Sequence, residues 1–232
     1  MLLAPLNDML AALPNALSAG KRPPTKEDPF AAQMGGLRHD LSTLALACAD
    51  SLAKTAQYYH GEDSWVIGTM PGYGPLADAV EATARGFLAN SHLPAAQTEV
   101  VASTLKMSGD LRTAARGARQ AVQIAFLFSG SRNGGADALM LLAPLADATV
   151  AIAERTAFAV QAGDLSAAHQ AAQGYRTLDG LRIQIERGVC GSQWTEYFSP
   201  ALLKMIRAGA WNFAVAGEGA ARVAARLLTL GM

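Results

Sequence analysis

The chain has 232 residues, of which 51% are hydrophobic, 6% aromatic and 16% charged. This length and apolar content suffice for one large domain or two smaller domains with buried cores, and they argue against a disordered chain. The 19 Lys and Arg residues equal the 19 Asp and Glu residues, so the chain lacks the cationic surplus typical of nucleic-acid-binding proteins. Because the apolar residues are mostly Ala, Leu and Val, we expect closely packed helices.

Residues 2–19 have leucines at helical spacing and are followed by a polar linker at 21–29. The stripe consists of Leu6, Leu10, Leu13 and Leu17. Asp8 lies inside the apolar part and no basic region precedes it, so this is not expected to be a signal peptide. We interpret 1–35 as an accessory helix and linker that packs on the main body or on a partner. No uncharged apolar run approaches the ~20 residues of a membrane span, so no integral membrane segment is expected.

Helical periodicity predicts three helices in the first half of the chain. They run from about 36 to 59, from about 75 to 89, and from about 94 to 128, the last being the longest. The run SGSRNGG at 129–135 cannot continue a helix at low cost and marks the clearest boundary in the sequence.

The second half repeats this order after the boundary. Helices are expected at about 137–161, then from an N-cap at Asp164 to about 187, and finally from Ser199 to Leu230, after a loop that contains Trp194. Leu105-Lys106-Met107 recurs as Leu203-Lys204-Met205, 98 residues later. We therefore predict an all-α fold of two tandem three-helix bundles, 36–130 and 135–232, related by internal duplication.

Three segments carry a resemblance to a known family. They are VASTLKMSGDLRTAARGARQAVQIA (101–125), AGDLSAAHQAAQGYRTLDGLRIQIERGV (162–189) and ARVAARLLTLGM (221–232). In this order they resemble the first long helix, the middle helix of the second repeat and the usual C-terminal ending of the PhoU family of phosphate-uptake regulators. The resemblance covers most of 36–232. It implies a cytoplasmic, homodimeric helical-bundle protein that works beside a phosphate ABC transporter ATPase and a sensor kinase, peripheral to the inner membrane through these partners.

Many members of that family carry an acidic E-x-x-x-D motif in each long helix, where two carboxylates on one helical face bind a cation. This chain departs from the motif. Aligned on Lys106 and Lys204, the acidic positions are occupied by Arg112 and Arg116 in one long helix and by Ala210 and Ala214 in the other. Arginine and alanine offer no acceptor to a metal, so we expect no bound metal and no other cofactor.

The third helix presents arginines at i, i+4 and i+7. Arg112, Arg116 and Arg119 are the candidate site for an anion or an acidic partner, with an ordinary solvated face as the alternative. Asp78 and Asp179 occupy similar places in the two middle helices and form a candidate acidic remnant. Trp211 is a candidate partner contact or packing residue.

No catalytic constellation is visible. His39, His60, His92 and His169 lack metal-ligand spacing, and Cys48 and Cys190 are interpreted as buried thiols. We predict that the protein is a non-enzymatic regulator of phosphate transport and phosphate-starvation signalling. The alternatives are a helical adaptor unrelated to phosphate and, as a third class, an enzyme with a site inside a helical bundle.

Overall fold

The computed structural model describes residues 29–61, 73–89, 93–131 and 134–230, with side chains from Met34 onward. Within these ranges the chain is helical and contains no strand. The helices, in chain order, are α1 (Pro29–Tyr59), α2 (Tyr73–Leu88), α3 (Ala95–Ser129), α4 (Gly135–Ala162), α5 (Leu165–Val189), α6 (Ser192–Tyr197) and α7 (Pro200–Leu230). The predicted all-α fold is confirmed.

The two halves of the chain repeat one arrangement. In the first half, Cys48 and Tyr59 of α1 contact the carbonyl oxygens of Leu111 and Ala121 in α3, at sequence separations of 63 and 62. In the second half, Thr149 and Thr156 of α4 donate to carbonyls of α7, both at a separation of 64. A constant separation means that the two helices within each pair are parallel to each other. The near-equal values are the structural counterpart of the sequence repeat.

The halves also pack against each other in an antiparallel manner. At one end of α1, Arg38 Nη2 donates to the Gln161 carbonyl at 3.2 Å, and at the other end His60 Nε2 lies 2.8 Å from Asp147 Oδ1. Between the halves, the rings of Tyr59 and Phe213 meet edge to face, with centroids 4.9 Å apart, and both are fully buried. The hydrophobic core is therefore shared between the halves, because α1 and α3 both pack on second-half helices.

The long helices α3 and α7 approach each other closely through two glycines. A Cβ atom on Gly117 would lie 2.7 Å from the Asn212 carbonyl oxygen, and one on Gly219 would lie 2.6 Å from the Asp110 carbonyl oxygen. Real Cβ atoms essentially never come this close to backbone atoms. Glycine at these two positions is what lets the two backbones meet.

The predicted helix ends in the second half are confirmed by their hydrogen bonds. The Asp164 carboxylate accepts from the backbone N–H groups of Ser166 and Ala167 at 2.8 and 3.1 Å. Gly163, just before it, has φ 67°, the left-handed conformation that ends α4. Ser199 Oγ accepts from Leu202 N at 3.3 Å and caps α7.

Two predicted element boundaries were wrong. The first helix begins at Pro29, about two turns before the predicted start at Gly36, so 29–35 belong to α1 and not to a linker. The rest of the predicted accessory segment lies outside the described residues. Trp194 belongs to the short helix α6 and not to a loop, and its indole covers Gly188, where an added Cβ would lie 2.6 Å from the ring. The domain limits at 36–130 and 135–232 stay predictions.

Cys48 and Cys190 have different environments. Cys48 is buried as predicted, and burial raises the pKa of its thiol to about 12, so it is protonated and unreactive at neutral pH. Cys190 is exposed, which contradicts the prediction of a buried thiol, because it follows the last residue of α5 at the surface.

Among the described residues, α4 alone is long and apolar enough by length and composition to cross a membrane. Core helices of soluble proteins pass the same test. In this structure α4 packs on α1, α5 and α7, while Asp147 and Glu154 on its outer face are exposed.

Candidate functional site

In the first half, an arginine of α3 is bound by two carboxylates of α2. Arg112 Nη2 donates to Asp78 Oδ1 and to Glu81 Oε1, both at 2.8 Å. Glu81 also accepts from Arg85 at 2.8 Å, one turn further along its own helix. We call Arg112, Asp78 and Glu81 the first arginine cluster.

The surroundings of Arg112 favour its charged form. The hydrogen bond to Asp78 raises the pKa of the guanidinium, and although partial burial opposes this, the nearby charge of Glu81 raises it further. The side chain of Glu81 is only 17% exposed and that of Arg112 36%, so the pair is partly shielded from solvent. Arg112 is therefore a fixed positive charge held against α2.

The second half has a corresponding arginine cluster, in which the arginine comes from the middle helix and not from the long helix. Arg182 of α5 donates through Nε to Asp179 Oδ1 at 2.9 Å and through Nη1 to Glu186 Oε1 at 2.6 Å. Its guanidinium lies 5.9 Å from the centre of the Trp211 ring on α7, within the range of a cation–π contact. The hydrogen bond to Asp179 raises the pKa of Arg182 as well. We call Arg182, Asp179, Glu186 and Trp211 the second arginine cluster.

The structure separates the three predicted arginines of α3. Arg112 is held by carboxylates, whereas Arg116 and Arg119 are exposed. The role of all three as an anion or partner site remains a prediction. On α7, Ala210 and Ala214 are buried in the core, so the positions that match the acidic motif do not reach solvent there.

The predicted acidic remnant, Asp78 and Asp179, belongs to these two clusters. Each aspartate comes from a middle helix and is bound by an arginine, which is the symmetry expected of a duplicated fold. Sequence reasoning missed Arg182, Glu81 and Glu186. Arg182 and Glu186 lie at i+3 and i+7 from Asp179, a spacing that predicts ion pairs on one helical face and could have identified them.

Other charged residues have roles that the sequence did not indicate. Asp110 accepts from Arg226 Nε of α7 at 2.9 Å and thereby links the two long helices. His60 contacts Asp147, and His169 contacts the neighbouring Gln173 at 2.7 Å. His39 is exposed, and His92 and Trp65 lie outside the described residues.

A crystal structure of PhoU from Pseudomonas aeruginosa is similar to this chain, with a TM-score of 0.75 and 15% sequence identity, over 87% of this chain and 98% of that chain. At this identity the similarity shows the fold alone. The chain has a PhoU-like helical-bundle fold. No family model matches the sequence, and no curated protein matches it.

The residues of the two clusters do not fit a bound metal ion. Asp78 and Glu81 already direct oxygens at one guanidinium nitrogen, and Asp179 and Glu186 do so at another guanidinium. A divalent cation would have to displace a tethered positive charge from these oxygens. The described part of the chain contains no group of three or more His, Cys, Asp or Glu residues arranged to hold a metal.

We expect purified wild-type protein without a polyhistidine tag to contain no stoichiometric iron, zinc or manganese after brief metal supplementation. The variant Arg112→Glu places a third carboxylate beside Asp78 and Glu81, and oxygen ligands suit Mn²⁺, so we expect it to bind Mn²⁺ at least tenfold more tightly than wild type. Elemental analysis and Mn²⁺ titration measure these outcomes.

The matched control is Arg116→Glu, which makes the same charge change one turn further along α3, at an exposed position. It should bind Mn²⁺ no better than wild type. Stoichiometric metal in wild type, or equal binding by both variants, would show that Arg112 does not take the place of a cation.

Proposed function

We propose that this protein regulates phosphate transport and phosphate-starvation signalling through protein–protein contacts, without catalysis and without bound metal. The observation that carries the proposal is the PhoU-like fold, which extends over 98% of the chain of a solved PhoU. The two arginine clusters support a metal-free version of that role, because they satisfy the carboxylates internally. On this proposal the protein is cytoplasmic, forms a homodimer, and reaches the inner membrane only through its partners.

The exposed face of α7 is the surface that best suits a protein partner. Trp211 is 57% exposed, and tryptophan is one of the residue types enriched at the hot spots of protein interfaces. Lys204 and Arg207 are exposed on the same helical face, at i−7 and i−4 from Trp211. Arg182 supports the indole from α5, and its own charge is offset by Asp179 and Glu186, so the positive charge of this face comes from Lys204 and Arg207.

A surface of this kind suits an acidic partner with an apolar contact residue. Positive charges raise the rate of encounter with such a partner, and the indole supplies the buried contact that slows dissociation. On the proposed function, the partner is a phosphate transporter ATPase or a sensor kinase.

Co-purification from the native host tests the proposal directly. We expect the tagged full-length protein to retain a phosphate ABC transporter ATPase or a sensor kinase. We expect Trp211→Ala to weaken that complex about 30-fold, the loss typical of an interface hot spot. Binding of the purified partner to each variant gives the affinity.

The control variant is Tyr197→Ala, which removes an aromatic ring that is 68% exposed on α6. It should bind as wild type. Full binding by Trp211→Ala would exclude this face as the contact. Retention of partners unrelated to phosphate would instead favour the alternative function, a helical adaptor.

A further inference from the structure

An apolar cleft opens at one end of the described bundle. Its walls are the N-terminal parts of α1 and α3 and the last turns of α4 and α7, which meet because α1 runs with α3 and against α4. The apolar side chains around it include Met34, Leu37, Val100, Val160, Leu227 and Leu230.

The chemistry of this cleft favours an apolar occupant over water. Among the described residues that line it, the polar ones are Thr104 and Arg38. The Thr104 hydroxyl donates to the Val100 carbonyl at 2.9 Å, and Arg38 bonds to the Gln161 carbonyl, so both already have partners. A water molecule in an apolar space lacks the two to four polar partners that stabilise it, whereas a leucine-sized side chain loses nothing there.

The N-terminal segment is joined to the chain close enough to this cleft to supply that side chain. Helix α1 begins at Pro29 at this end of the bundle, and Met34, in its second turn, already lines the cleft. The leucine stripe of 6–17 is joined to α1 by the stretch 18–28, which can reach about 35 Å when extended. A tether of this length keeps the stripe at roughly millimolar effective concentration.

The sequence of this segment would place its leucines on one face of a helix and its charge on the other. Leu6, Leu10 and Leu13 fall within a narrow arc of a helical wheel, and Asp8 falls on the opposite side. Pro5 suits the first turn of such a helix, and Pro14 limits it to about three turns before Leu17.

We infer that residues 2–19 fold back on their own chain and insert leucine side chains into this cleft. On this inference the N-terminal segment covers the end of the bundle where α1, α3, α4 and α7 leave this apolar opening. This inference is independent of the proposed function, because it concerns the chain's own segment and not an outside partner.

The test uses a nitroxide label in the full-length chain. Cys190→Ser removes the exposed thiol, Cys48 is too buried to react, and Ser18→Cys supplies a single labelling position beside the leucine stripe. We expect the label to broaden the methyl NMR signals of Met34, Val160 and Leu230 strongly. The methyl signals of Leu127 and Met140, at the opposite end of the bundle, should remain sharp.

A matched pair of substitutions decides whether the leucine stripe causes the docking. Leu10→Asp places a charge on the stripe and should abolish the broadening, whereas Ala11→Asp places the same charge off the stripe and should preserve it. Unchanged signals from Leu127 and Met140 report that each variant remains folded.

The inference is overturned if the label broadens no cleft signal, or if the broadening survives Leu10→Asp. Docking between two copies of the chain is tested with a sample that mixes nitroxide-labelled chains with separate methyl-labelled chains. Broadening in that mixture would mean that the segment of a second copy fills the cleft, which also contradicts docking within one chain.

Discussion

Replacing Phe213 with alanine is expected to lower the free energy of unfolding by about 3–5 kcal/mol. The Phe213 ring is fully buried on α7 and packs edge to face on Tyr59 of α1, so its removal leaves a cavity between the two halves. At roughly 2–4 °C per kcal/mol for a chain of this size, the melting temperature should fall by about 6–20 °C. Thermal and urea unfolding followed by circular dichroism measure the change.

Trp211→Ala is the control for this prediction, since it removes a larger ring two residues earlier on the same helix. The Trp211 ring is mostly exposed, so we expect it to cost less than about 1 kcal/mol. Equal losses for the two variants would contradict a core that is shared between the halves. The same comparison shows that any loss of partner binding by Trp211→Ala is not a loss of folding.

The second large effect is expected at the crossing of α3 and α7. Gly117→Ala and Gly219→Ala each place a Cβ atom within 2.7 Å of a backbone oxygen of the facing helix. Backbone atoms cannot rotate away as a flexible side chain can, so the helices must separate. We expect each substitution to cost about 1–3 kcal/mol, and the two together to cost more than either alone.

Gly109→Ala makes the same chemical change in the same helix, but in open space. Because alanine is the better helix former, this variant should gain up to about 1 kcal/mol. Denaturant unfolding of the three single variants gives the comparison. If Gly117→Ala were as stabilising as Gly109→Ala, the close approach of the two backbones would be wrong.

Helix positions and the core were predictable because they depend on neighbours along the chain. The stripe of Leu37, Leu41, Leu44 and Cys48 follows from three- and four-residue steps, and these side chains are buried in the structure. The caps at Asp164 and Ser199 are equally local, because each side chain bonds to backbone two or three residues away.

The candidate site was less predictable because its contacts join residues that are distant in sequence. Arg112 was expected to belong to a basic stripe with Arg116, but its partners lie 34 and 31 residues away on α2. Asp110 bonds to Arg226 across 116 residues. Such pairs depend on which helical faces meet, and periodicity within one helix carries no information about the partner helix.

The short helix α6, which contains Trp194, was not predicted for a different reason. Six residues are too few for a periodic pattern, and α6 is stabilised by the packing of Trp194 over Gly188 and against Phe198 rather than by its own propensity. Trp194 therefore stabilises α6 through its tertiary contacts, which local sequence patterns do not reveal.

The two arginine clusters bear on the history of a duplicated chain. In a symmetric dimer of half-length chains, one substitution would appear in both copies at once. Fusion removes that constraint, because each half has its own codons. Here the cation beside Asp78 comes from the long helix α3, whereas the cation beside Asp179 comes from the middle helix α5. Each cluster thus sets one arginine against two carboxylates, but the arginine comes from a different helix in each half, so either half can change without the other.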